Sequence, residues 1–192
     1  MFLTVSVLLA VLVGLARGGK WVNLGTFKFE KTWLVFIAIG LQFLVFNPVW
    51  DRHVGAGILT NLIYGASIML LILFALVNSD IKGLRLLGLG VLLNGVAIAA
   101  NGGSMPSSLD ALSKILPAER MEQLLSGSAF YNVILISDNT RFKYLCDIFY
   151  IPGVNVYSIG DALIAAGAFI TIQQIMLRSK GIDIYNTSSE RG

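Results

Sequence analysis

The apolar positions of this chain are gathered into long runs, not spaced at helical or strand intervals. Five stretches stand out: Phe2 to Ala16, Trp33 to Phe46, Val54 to Val77, Leu86 to Ala100, and Ile159 to Leu177. A run with no polar face has nothing to offer water. In hydrocarbon its backbone N–H and C=O groups must be satisfied within the segment, which predicts five membrane-crossing α-helices. The shorter runs, at about 1.5 Å per residue, fall below the ~30 Å apolar core of a bilayer and need flanking residues or local thinning to cross it. The expected fold is therefore all-α, a polytopic transmembrane helix bundle of about five spans. Residues 1–100 hold four of them, 159–177 the fifth, and 178–192 a short polar tail.

Between Asn101 and Ser158 the pattern breaks into short amphipathic pieces. Gly102 and Gly103 suit a helix stop, and Pro106 with Ser107 or Ser108 suits a new start. Ser107 and Asp110 have capping-box spacing, after which Leu109, Leu112, Ile115 and Leu116 fall on one face. Pro117 restarts a second amphipathic helix with Met121, Leu124 and Leu125 apolar. The eight apolar residues from Ala129 to Ile136 are too few to span, so they are either re-entrant or a cover over the helices. Asp138, Asn139, Thr140 and Arg141 carry turn chemistry, and Arg141 has Asp138 and Asp147 as candidate ion-pair partners. Ser158 and Asp161 repeat the capping-box spacing at the start of the last run. Capping alone accounts for Asp161; the alternative is a membrane-edge acid that binds a cation or a proton.

Composition sharpens the location. Charged residues make up 13% of the 192, where about 25% is usual for a soluble domain, and mean hydropathy is +0.77. The net charge of +3 comes from bases scattered through loops, which argues against nucleic acid as a partner. Counted by alternate loops, one side holds nine bases: Arg17, Lys20, Lys28, Lys31, Lys82, Arg85, Arg178, Lys180 and Arg191. The other holds five, Arg52, Lys114, Arg120, Arg141 and Lys143. The richer side is expected in the cytoplasm, with the N-terminus outside and 101–158 extracytoplasmic. Trp21, Trp33 and Trp50 fall near the expected interfaces, and Arg17 to Thr32 reads as an interfacial segment. The first run has no basic residue ahead of it and ends in Arg17, so a retained span is expected in place of a cleaved leader. Asn186-Thr187-Ser188 matches a glycosylation acceptor but falls on the cytoplasmic side.

Candidate chemistry is thin. One cysteine, Cys146, and one histidine, His53, provide neither a disulfide nor a zinc ligand set, and no phosphate-binding or dinucleotide-binding loop is present, so no cofactor is expected. His53, beside Asp51 and Arg52, reads as a solvated or interfacial residue. The middle of each run lacks ionisable residues, which weighs against an ion-coupled pump. The polar residues there are amides, Gln42, Asn61 and Asn94, with Gln173 and Gln174 near one end. Gly57, Asn61 and Gly65, and Gly90 with Asn94, are spaced as small-residue packing faces beside a buried amide.

The strings NGGSMPSSLDAL, SDNTRFKYLCD and NVYSIGDALIAAG resemble the shared motifs of a family of small bacterial multi-pass membrane proteins of unassigned function. The resemblance covers Asn101 to Leu177 and implies a bacterial plasma membrane location. It supplies no catalytic residues, and Asn139 and Cys146 depart from its pattern. Three readings follow. The first is a non-enzymatic module that docks membrane lipid, a partner membrane protein or a second copy through the outer segment. The second is a small channel, transporter or flippase with Gln42, Asn61 and Asn94 along a path. The third is a membrane enzyme acting on lipid head groups through Asp138, Arg141 and Asp147; Asp161 is a candidate binding residue only.

Overall fold

The computed structural model describes residues 2–55, 57–126, 133–152 and 155–178. It is mostly helical, beginning with α1 (Phe2–Ala16), α2 (Trp21–Thr26) and α3 (Trp33–Val45). Then come α4 (Pro48–His53), α5 (Ile58–Val77) and α6 (Lys82–Ala100). The intervening segment contains β1 (Met105–Ser107), α7 (Leu109–Ser113), α8 (Ala118–Leu125) and β2 (Val133–Leu135). It continues through β3 (Phe149–Ile151) and β4 (Asn155–Tyr157) to α9 (Ile159–Met176). Three helices, α5, α6 and α9, are long and apolar enough to cross a membrane; α1 and α3 are shorter apolar helices.

Two expected boundaries move, each for a local reason. The third run does not start at Val54, because Asn47 accepts hydrogen bonds from the N–H groups of Val49 and Trp50 at 2.8 and 3.0 Å and nucleates α4 on Pro48. Gly55 then turns the chain at φ +67° into α5. In the fourth run the helix begins at Lys82 rather than Leu86, since Gly83 and Leu84 are already buried.

The five apolar helices pack side by side in the order α1, α9, α6, α5, α3, so the last helix lies between the first and α6. The closest approach is between α6 and α9, which run antiparallel. Gly83 and Gly90 of α6 face Gly167 and Gly160 of α9. A Cβ at Gly90 would come within 2.8 Å of the Ile164 nitrogen, and one at Gly167 within 2.6 Å of the Gly83 carbonyl. Small residues here let two backbones touch. One end of the assembly collects the loops with most of the bases: Asn23 donates to the carbonyls of Met176 and Arg178, both at 3.0 Å, and Asn78 donates to the Glu30 carbonyl while accepting from its N–H.

The other end carries the segment from Asn101 to Ser158. It is not purely helical as expected. β1 and β2 form a parallel pair, Met105 opposite Val133 and Ser107 opposite Leu135, and β3 and β4 form an antiparallel one. Thus Val133–Leu135 of the apolar run ending at Ile136 is a strand, and Ala129 to Asn132 lie outside the described residues. Ser107 belongs to β1, so Ser108 takes the cap of α7 and Asp110 is one position too early to close a box. Asp110 pairs with Lys114 at 2.7 Å instead. Ala111, Leu112, Leu124 and Val156 form a small core of their own, and Met105 packs on Ala97 and Ile98 of α6.

Candidate functional site

Two polar clusters sit where this segment meets α6 and α9. In the first, Asn94 projects from α6 toward the N-terminus of α9. Its Nδ2 donates to Asp161 Oδ1 at 2.8 Å, and its Oδ1 accepts from Ser158 Oγ, also at 2.8 Å. Ser158 in turn caps α9: its Oγ accepts from the Asp161 N–H at 3.0 Å and its N–H donates to Asp161 Oδ2 at 3.1 Å. The capping box expected from spacing is present, and an amide from a neighbouring helix locks it. Gly160 has no side chain because the Asn94 amide fills that space.

Asp147 stands next to this ring. It follows a short 3-10 turn, Lys143–Leu145, and its backbone joins β1: Ser108 N–H donates to the Asp147 carbonyl at 2.9 Å and Asp147 N–H to that of Pro106 at 3.0 Å. The side-chain Oδ2 accepts from buried Ser107 Oγ at 3.2 Å. Oδ1 is buried without a hydrogen-bond partner among the described residues. Burial, and then the charge of Asp161, push the Asp147 carboxyl up to about 7, against a smaller downward pull from the Ser107 hydroxyl. No group of three or more His, Cys, Asp or Glu able to hold a metal occurs among the described residues.

The second cluster fixes the chain around Arg141. Asn101, at the end of α6, accepts from the Arg141 N–H at 2.9 Å and donates to the Arg141 carbonyl at 3.0 Å and to that of Ala97 at 2.8 Å. Phe142 next to it adopts φ +51°, a left-handed conformation that is costly for an aromatic residue. Cys146 closes the turn and is fully buried. Arg141, Phe142, Lys143 and Tyr144 all face outward, Tyr144 at 82% exposure and Phe142 at 58%. No ion pair joins Arg141 to Asp138 or Asp147, contrary to expectation. Asn101 holds the arginine by its backbone, and the Asp147 carboxylate is turned inward onto Ser107. Asp138 is exposed at the preceding turn.

The matched family model covers residues 26–173 and carries the description of a family of unknown function. The chain belongs to the DUF5317 family. No curated protein and no solved structure matches it. The stretch shared with DUF5317 includes both clusters, α3 through α8 and most of α9, and starts after α1.

The remaining amides do different jobs. Gln42 donates to Ser67 Oγ between α3 and α5 at 3.1 Å, and Asn61 donates to the Gly102 carbonyl at 2.8 Å. With Asn94 on Asp161, the three make three separate contacts. The packing faces also divide: Gly90 is pressed against α9, whereas a Cβ at Gly57 or Gly65 would meet nothing within 4 Å. Asn101 and Ser107 were not candidates from the sequence. Asn101 was hidden by the helix-stop reading of the glycines after it, and Ser107 by its apparent cap spacing.

Proposed function

We propose that this DUF5317 protein is a non-enzymatic integral membrane module that docks a partner membrane protein through the Arg141–Tyr144 turn. In this reading all five apolar helices span a bacterial plasma membrane, with the N-terminus outside and the C-terminus cytoplasmic. The nine-to-five distribution of bases supports that orientation. One observation carries the docking role: a strained turn, held at its root by Asn101, presents two bases and two aromatic rings to the outside. Arg and aromatic side chains on a preformed scaffold are the groups that dominate interface energies, and the two bases call for an acidic patch opposite. Ser158, Asn94 and Asp161 behind the turn are engaged with one another, which favours a structural role for them over catalysis.

A photoreactive phenylalanine analogue in place of Tyr144, activated in native membranes, tests this. A discrete protein adduct that disappears when Arg141→Glu and Lys143→Glu are combined is the expected result. Adducts confined to lipid, or a protein adduct indifferent to the charge reversal, would remove the docking role.

A further inference from the structure

The contact between α5 and α6 is unlike that between α6 and α9. It is made at a narrow floor, where Gly88 meets Ala75 and Gly95 meets Ile68. Outside that floor the helices part around two apolar cavities of about 650 and 340 Å³, which share Ile72 and Leu92 and so form one groove. It runs from Asn61 at one end to Ser79 and Arg85 at the other. At about 1.5 Å per residue this is close to the thickness of a bilayer's hydrocarbon core. Leu62, Met69 and Leu76 of α5 and Leu89, Leu92 and Val96 of α6 stand along its edges, all exposed. The open face of Gly65 leaves the wider half unfilled.

The ends differ in charge. Asn61 at one end is neutral and already donates to the Gly102 carbonyl. At the other, the Arg85 guanidinium is exposed, donates through Nε to the Ser79 carbonyl and makes no ion pair with Asp80. Asp80 and Lys82 are exposed nearby, and Arg85 is the charged side chain that lines the groove itself.

We propose that the α5–α6 groove is a binding site for an amphiphile with an anionic phosphate head group and long hydrocarbon tails. The head group pairs with Arg85, and the tails lie along the apolar walls toward Asn61. Charge complementarity selects this occupant over a transmembrane helix, because the lining is apolar along its length and Arg85, at one end, is the one charged side chain among the described residues that line it. The site is independent of the Arg141 turn and needs only that α5 and α6 lie in a membrane.

The test uses the full chain, extracted from bilayers of equimolar phosphatidylglycerol and phosphatidylcholine and weighed intact by native mass spectrometry. A parallel preparation carries added polyprenyl phosphate, to separate a diacyl from a single long-chain source. We expect a retained anionic lipid favoured about fivefold over phosphatidylcholine, the size of one basic contact at a membrane surface. Arg85→Glu should abolish the preference and Arg85→Lys should restore it. Gly65→Phe, or Ala66→Leu if the first is not recovered, should displace the lipid of either class. Lipid retention unchanged by both groove variants, or no anionic preference in the wild type, overturns the site. So does a groove variant that dissociates a dimer while lipid stays bound, since it gives the groove to a second copy.

Discussion

Replacing Asp147 by Asn isolates the energetic cost of a buried charge. The carboxyl titrates near 7 in the folded chain and at 3.8 when solvated, because burial and the neighbouring Asp161 disfavour its ionised form. A folded value raised above the unfolded one means that the stabilisation is fully present below pH 3.8 and is lost as pH rises to about 7. At 1.36 kcal/mol per unit the whole loss is about 4 kcal/mol, and the part falling between pH 5 and 8 is about 3 kcal/mol. That corresponds to roughly a hundredfold rise in local opening of the segment that Asp147 ties to β1. Hydrogen exchange at the Ser108 and Asp147 amides, corrected for intrinsic pH dependence, reads this directly. Protection in the wild type should fall by that order between pH 5 and 8, while Asp147→Asn, which keeps an acceptor for Ser107 and never ionises, should stay flat. Equal pH dependence in both proteins, or protection that rises with pH, would refute the assignment of the cost to Asp147.

Three further expectations follow from geometry. Gly90→Ala should destabilise the protein by about 1–3 kcal/mol in a detergent unfolding assay, because the new methyl meets Gly160 and Ile164 backbone that cannot yield, and the ~1 kcal/mol gain in helix propensity is too small to offset it; Gly65→Ala, which faces open space, should cost nothing measurable. Cys146, fully buried and with its thiol pushed up by burial and by Asp147, should resist an impermeant maleimide in the native protein. Asn101→Ala removes the bonds that hold the Arg141 turn, about 1 kcal/mol each, and should speed that labelling about tenfold or more. An unchanged rate would mean that Asn101 does not hold the turn closed.

The helices were legible because their apolar runs are long and uninterrupted by charge, and Ser158 with Asp161 was legible because a capping box is a local pattern. What escaped the sequence is non-local. β1 and β2 are separated by α7 and α8, and no periodicity in three-residue strands announces their pairing. The Ser107 hydroxyl has the right spacing for a cap, but it donates instead to Asp147, forty residues on. Arg141 was read by its charge, but its position is set through its backbone by an amide forty residues earlier. Gly83 with Gly90 and Gly160 with Gly167 did carry a readable sign, since each pair is seven residues apart and therefore on one face of its helix.

The seating of α9 between α1 and α6 has a consequence for biogenesis. α1 is made well before α9, the neighbour it packs against most extensively. Until α9 is made, α1 lacks that neighbour and the glycine face of α6 has no backbone to meet. A ribosome that stops before Ile159 thus releases an intermediate with two unsatisfied surfaces, the state that membrane proteases and insertases are built to find.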